Sequence, residues 1–154
     1  MTILAIDPGP IQSAYVLFGE HGILNYGKID NHDLRSNMKF VEFDTYDRVV
    51  IEMIASYGMA VGKEVFETCV WIGRFIEASL HTYISPDLIY RKDIKMHICG
   101  QTKAKDANIR QALIDRFGAP GTKKKPGHTF GISGDMWAAL AVAVTYWDTQ
   151  IVGK

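Results

Sequence analysis

The sequence predicts an α/β fold built on a mixed sheet, antiparallel at first, parallel later, and covered by helices. Three observations lead there. The first 30 residues hold three short apolar runs joined by tight turns, strand-like and helix-like segments alternate beyond them, and the last helix-forming stretch is apolar around its whole circumference. At 154 residues, 47% apolar and 22% charged, the chain is long enough for one core-bearing domain and lies outside disordered, collagen-like or coiled-coil compositions. One domain over residues 1–154 is expected, with no internal repeat or linker.

Residues 2–6 are apolar and stop at Asp7-Pro8-Gly9-Pro10, a turn cluster; residues 13–18 resume with β-formers up to Gly19, and residues 23–29, entered through Gly22, give a third run. Such a sequence reads as a meander. Residues 33–43 suit a short helix with Asp33 as N-cap and Leu34, Met38 and Val41 on one side. Residues 49–54 form an apolar strand interrupted by Glu52. After a glycine-bearing loop, Val65, Cys69, Ile72, Ile76 and Leu80 recur at helical spacing and predict a long amphipathic helix. A short strand at 87–90 follows Pro86. Ile109, Leu113 and Phe117 mark a helix over 106–117, ended by Gly118 and Pro120, and residues 136–147 form the apolar helix. The predicted order is β-β-β-α-β-α-β-α-α, with five strands.

The net charge is zero, but the charges are segregated. Residues 1–90 carry 6 Lys/Arg against 12 Asp/Glu, whereas residues 91–125 carry 10 against 3. A basic segment of this kind suits a polyanion, since phosphate binding follows the local field, and equally suits a solvated helix. No apolar run is long enough to cross a bilayer, and Met1-Thr2-Ile3-Leu4 leads into a charged turn rather than a signal-peptide cleavage region, so a cytoplasmic protein without membrane contact is expected. Cys69 and Cys99 have no metal-type spacing and read as packing residues.

Three carboxylates stand out. Asp7 ends the first strand on the face of Ile3 and Ala5; Asp before Pro-Gly is also an ordinary turn residue. Glu52 lies in a strand with apolar neighbours on both faces, where a buried carboxylate needs a basic partner, a raised pKa or a metal ion. Arg48, four residues back, lies more than about 10 Å away at the roughly 3.3 Å rise of a strand. Asp135 opens the last helix, as a dipole-favoured first-turn acid or as part of a site. Acids at a strand end, in a strand and at a helix start can converge at one end of a mixed sheet, and converging like charges point to metal binding.

Ile3-Leu4-Ala5-Ile6-Asp7-Pro8-Gly9, Val50-Ile51-Glu52 and Gly134-Asp135-Met136-Trp137-Ala138-Ala139-Leu140-Ala141-Val142-Ala143 resemble the acidic motifs of RuvC-type Holliday-junction resolvases, phage-encoded members most of all. The resemblance spans nearly the whole chain in order, spacing and length. It implies a ribonuclease H-like fold, two Mg²⁺ or Mn²⁺ ions per site, and a homodimer making paired symmetric nicks in four-way DNA junctions, with 5′-phosphate and 3′-hydroxyl products. A phage-encoded member would act in the host cytoplasm. Asp7 would bridge both ions, with Glu52 on one side and Asp135 on the other; hard oxygen ligands suit these cations. The family usually adds a fourth ligand three positions from another on the last helix, where this chain has Ile132 and Ala138. Asp135 can match either member of that pair. His128, in the preceding loop, is the candidate substitute, unless it is simply solvated.

Lys95, Lys103 and Lys105 stand where the family carries lysines around the scissile phosphate, Lys105 being the strongest candidate, and residues 100–105 could present backbone N–H groups to phosphate. Arg91, Lys92, Lys123, Lys124 and Lys125 extend the basic track, although a triple-Lys loop is also a solubilising turn. Tyr57, in the loop after Glu52, occupies the family's aromatic position near the junction centre, where it stacks on a base or packs on the sheet edge. Phe66, Val70 and Gly73, off the main stripe of their helix, offer a dimer face. Two other readings stay open: a junction-binding protein with impaired catalysis, and an actin-like ATP-binding lobe sharing the Asp-x-Gly turn.

Overall fold

The structure, a computed structural model, describes residues 1–40 and 45–154. β1 (Thr2–Asp7), β2 (Gln12–Gly19) and β3 (Gly22–Asp30) form the expected antiparallel meander, in register from Thr2↔Gly19 to Asp7↔Ala14 for β1–β2 and running from Gly19↔Gly22 to Gln12↔Asp30 for β2–β3, with a one-residue register shift between Leu17 and Phe18. β4 (Arg48–Met53) lies parallel to β1 on its other side, and β5 (Asp87–Tyr90) lies parallel to β4, so the sheet order is β3-β2-β1-β4-β5. The mixed five-stranded sheet is therefore as the sequence predicts.

Both faces of the central strands are covered, which is why their residues are apolar without alternation. Leu4, Ile6, Leu17, Val49 and Ile51 face α1 (Asn31–Phe40) and α2 (Lys63–His81). Ile3, Ala5, Ala14, Val16 and Val50 face α5 (Met136–Tyr146), which continues as a π-helical segment over Trp147–Val152. Against the outer side of α5 pack α3 (Arg91–Cys99) and α4 (Asp106–Phe117). Sandwiched between sheet and helices, α5 has no polar side to present, and Ala139, Ala141 and Ala143 are completely buried.

Three expectations are corrected. First, α3 is a helix where the sequence suggests only a charged segment; Ile94 is buried, Ile98 packs one turn on, and Gly100 closes the helix at φ 72°. Second, α1 begins before Asp33: Asp30 Oδ1 accepts the His32 N–H at 2.8 Å and Asp33 sits in the first turn. Val41 and Phe43 of that predicted helix lie outside the described residues. Third, α2 buries Thr68, Trp71, Ile72, Phe75, Ala78 and Ser79, while Leu80 of the expected stripe is 47% exposed. The helix turns inward the face that carries Trp71 and Phe75, two of its three large aromatics, which bury the most area. Cys69 and Cys99 are both free thiols; Cys99 packs against the α5-side core.

Candidate active site

Strand parity places the acids. Asp7 follows Ala5, and Glu52 follows Val50, by two residues each, and Ala5 and Val50 are register partners. Both carboxylates therefore leave adjacent parallel strands on the α5 face. Asp135 arrives from above as the N-cap of α5, its side chain making no cap hydrogen bond. All three line one cavity of about 380 Å³, together with Gly9, Gln12, Arg91, Asp106, Trp137 and Ala138.

The turn after Asp7 is held from below. Asn31 is fully buried; its Nδ2 donates to the Gly9 carbonyl at 2.8 Å, Ser13 Oγ donates to Asn31 Oδ1 at 2.6 Å, and the Gly9 N–H donates to Ser13 Oγ at 3.1 Å. A Cβ on Gly9 would meet the Gln12 carbonyl oxygen at 2.3 Å, so only glycine fits. Asn31→Ala leaves the Ser13 hydroxyl and the Gly9 carbonyl without their partner, and a loss of about 1–3 kcal/mol is expected in urea unfolding.

Electrostatics single out Asp7. Burial, then the charges of Glu52 and Asp135, push its pKa up to about 8, against a smaller opposing effect of Arg91. At neutral pH Asp7 keeps its proton and donates it in a hydrogen bond to Glu52. Glu52, only 9% exposed, is also raised, by desolvation above all, while Arg91 pulls the other way. A half-buried and a buried carboxyl that share one proton in an all-oxygen site fit one hard divalent cation, which would take the proton's place.

The full three-acid cage expected from the sequence is not assembled. Among the described residues no group of three His, Cys, Asp or Glu side chains stands ready to hold a metal. Asp135 is instead paired with Lys28 Nζ at 2.6 Å. Ala138, one turn along α5 from Asp135, faces the same cavity without a donor, while Ile132 is buried in the core. His128 does not replace the missing ligand. It is exposed beside Glu20, His21, Arg116 and Trp147, at the Gly19–Gly22 end of the β2–β3 hairpin, whereas Asp7 pairs near that hairpin's open end. The loop from α4 returns to that far end before reaching α5.

The basic residues divide. Arg91, expected on the DNA track, is instead engaged by acids: its guanidinium stands 3.4 Å from Glu52 Oε2 and bonds Asp106. It is the compensating partner that Arg48 is too distant to be. Lys92 and Lys95 line a second cavity of about 310 Å³ with Arg91, Tyr57 and Thr102, directly beside the acids. Tyr57 does not pack on the sheet edge; it is 61% exposed, at φ 49°, in a left-handed conformation that strains a tyrosine. Lys105 is exposed as the N-cap of α4, its backbone N–H bonded to Asn108 Oδ1 at 2.8 Å. Lys103 is exposed in the preceding loop, and Lys123, Lys124 and Lys125 are exposed in a turn closed by the Gly121–Pro126 bridge.

Asp106, Lys28 and Trp137 are site residues that sequence reasoning missed. For Lys28 a simple count fails: stepping back from Gly19↔Gly22 puts Gly27 opposite Ala14, and only the register shift between Leu17 and Phe18 brings Lys28 to that place, in line with Asp7.

No protein-family model and no curated protein matches the chain. Solved structures do. A Thermus thermophilus RuvC structure superposes with TM-score 0.74 at 13% identity, covering 99% of this chain and 97% of that one. T. thermophilus RuvC in complex with a Holliday junction substrate superposes with TM-score 0.73 at 15% identity, covering 99% and 96%. Sheet order, helix layers and end-to-end coverage together give this chain the RuvC-type, ribonuclease H-like fold.

Proposed function

We propose that this chain is a divalent-cation-dependent endonuclease that cuts four-way DNA junctions. One observation carries the reading: the Asp7–Glu52 pair opens, with Asp135, into a cavity flanked by Lys92, Lys95 and exposed Tyr57, on a fold shared with a RuvC that is described in complex with a Holliday junction. An acidic pocket beside a basic, aromatic one suits a phosphodiester at the acids and a strand running away from them.

Asp7 and Glu52 would hold Mg²⁺ or Mn²⁺, with Asp135 facing the same cavity. When bound, such an ion supplies charge stabilisation at the phosphate and makes a water easier to deprotonate. Asp7 would hold the ion as its carboxylate, without the proton it carries in the metal-free protein. Arg91 fixes the Glu52 carboxylate and keeps Asp106 from adding an uncompensated charge. Lys92, Lys95, Lys103 and Lys105 neutralise phosphates, and the Tyr57 ring stacks on an unpaired base. Paired incision needs two copies of the site, and α2 offers a face for a homodimer: Phe66 is 63% and Val70 55% exposed, with open space over Gly73.

The test is a strand-resolved assay on a mobile four-way junction with Mg²⁺ or Mn²⁺. Symmetric nicks in opposing strands, with 5′-phosphate ends, are expected. A shifted but uncut junction in both metals would instead support the impaired junction-binding reading. No helix among the described residues is long and apolar enough to cross a membrane.

A further inference from the structure

The cavity contains more acids than a single ion needs, and the protein meets two of its sides with cations of its own. On the Glu52 side, Arg91 joins Glu52 and Asp106. On the opposite side Lys28 joins Asp135. Asp7 alone among the cavity's carboxylates has no ion-pair partner among the described residues.

The position of Lys28 follows from the sheet. Asp7 pairs with Ala14, and Ala14 with Lys28, so the three side chains stand in one cross-strand row on the α5 face. The middle residue is the smallest side chain after glycine and is fully buried. Nothing at position 14 therefore blocks the Lys28 stem from crossing toward the N-terminus of α5, where its Nζ comes to 2.6 Å from Asp135 Oδ2. The other neighbour that could have drawn a second divalent ion to this side, position 138, is an alanine facing the cavity.

We infer that Lys28 is a built-in cation of the site: its ammonium holds Asp135 in the DNA-free protein, so that the chain binds one divalent ion, at Asp7 and Glu52, in place of two. The inference rests on the metal-dependent reading above and adds to it a positioning residue, acting through Asp135. An ion on the Asp135 side would have to displace the ammonium or lie against it as a like charge, with no second carboxylate on α5 to compensate.

The experiment is calorimetric titration of the full chain with Mn²⁺, without DNA, at neutral pH and low salt, supported by electron paramagnetic resonance of free Mn²⁺. Wild type is expected to bind one ion per chain, Lys28→Met two, and Lys28→Arg one, because a guanidinium still pairs with Asp135. Circular dichroism checks that each variant is folded; Lys28 is on a half-exposed edge strand, where substitution is tolerated. Two ions on wild type, or a single ion on Lys28→Met, overturns the role of Lys28 and leaves the nuclease reading standing. No ion on wild type together with no cleavage overturns the nuclease reading and this inference with it.

Discussion

Asp7→Asn is expected to reduce metal-dependent cleavage of a four-way junction by about 10³-fold or more, the range seen when a central catalytic group is removed. Asparagine keeps the volume and the turn, so the Asn31–Ser13–Gly9 network beneath it stays intact. What disappears is the carboxylate that interacts with both Glu52 and Asp135 and that would hold the ion. Junction affinity should stay within about twofold, because phosphate neutralisation comes from lysines whose contacts the substitution does not touch. Single-turnover cleavage with Mg²⁺, paired with gel retardation in EDTA, measures the two effects separately. Cleavage within tenfold of wild type would remove Asp7 from the mechanism.

The metal-free protein should lose stability as pH rises from 6 to 8. Asp7 titrates at about 8 in the folded chain, against an ordinary value of 3.8, chiefly because burial disfavours its charged form. The folded state therefore holds a proton that the unfolded chain has already released. Its contribution is complete below pH 3.8 and declines until the pH passes about 8. At about 1.4 kcal/mol per pH unit for one proton, the change between pH 6 and pH 8 is roughly 2–3 kcal/mol. Urea unfolding in EDTA at several pH values measures it, and Asp7→Asn should flatten the profile. Saturating Mn²⁺ should reverse the trend, since the cation replaces the proton: loading at pH 7 should release about one proton per ion, read from calorimetry in buffers of different ionisation enthalpy. A flat profile in the wild-type protein would show that Asp7 and Glu52 do not share a buried proton.

Much of the fold was legible in the residues because its determinants are local. The Asp7-Pro8-Gly9-Pro10 cluster ends β1, Gly19 and Gly22 bracket the turn of the β2–β3 hairpin, and the uninterrupted apolar run of α5 requires burial on all sides. Glu52 was conspicuous for the same reason: a carboxylate amid Val49, Val50 and Ile51 demands compensation wherever the chain goes. By contrast α3 hides under five charged or polar residues, its two isoleucines being too short a stripe to register. The inward face of α2 was missed because periodicity alone does not weigh Trp71 and Phe75 against smaller residues on the neighbouring stripe.

The sequence by itself determined the meander, the strand–helix alternation and the three carboxylates Asp7, Glu52 and Asp135, since turn chemistry, periodicity and the cost of a buried charge all act within a few residues. Only the tertiary structure decided which charges meet. Arg91 reaches Glu52 across 39 residues and Lys28 reaches Asp135 across 107, while His128 is carried to the far end of the hairpin. Those pairings depend on strand order and register, which bring distant positions into one row, and long-range contacts of that kind leave no local pattern to read.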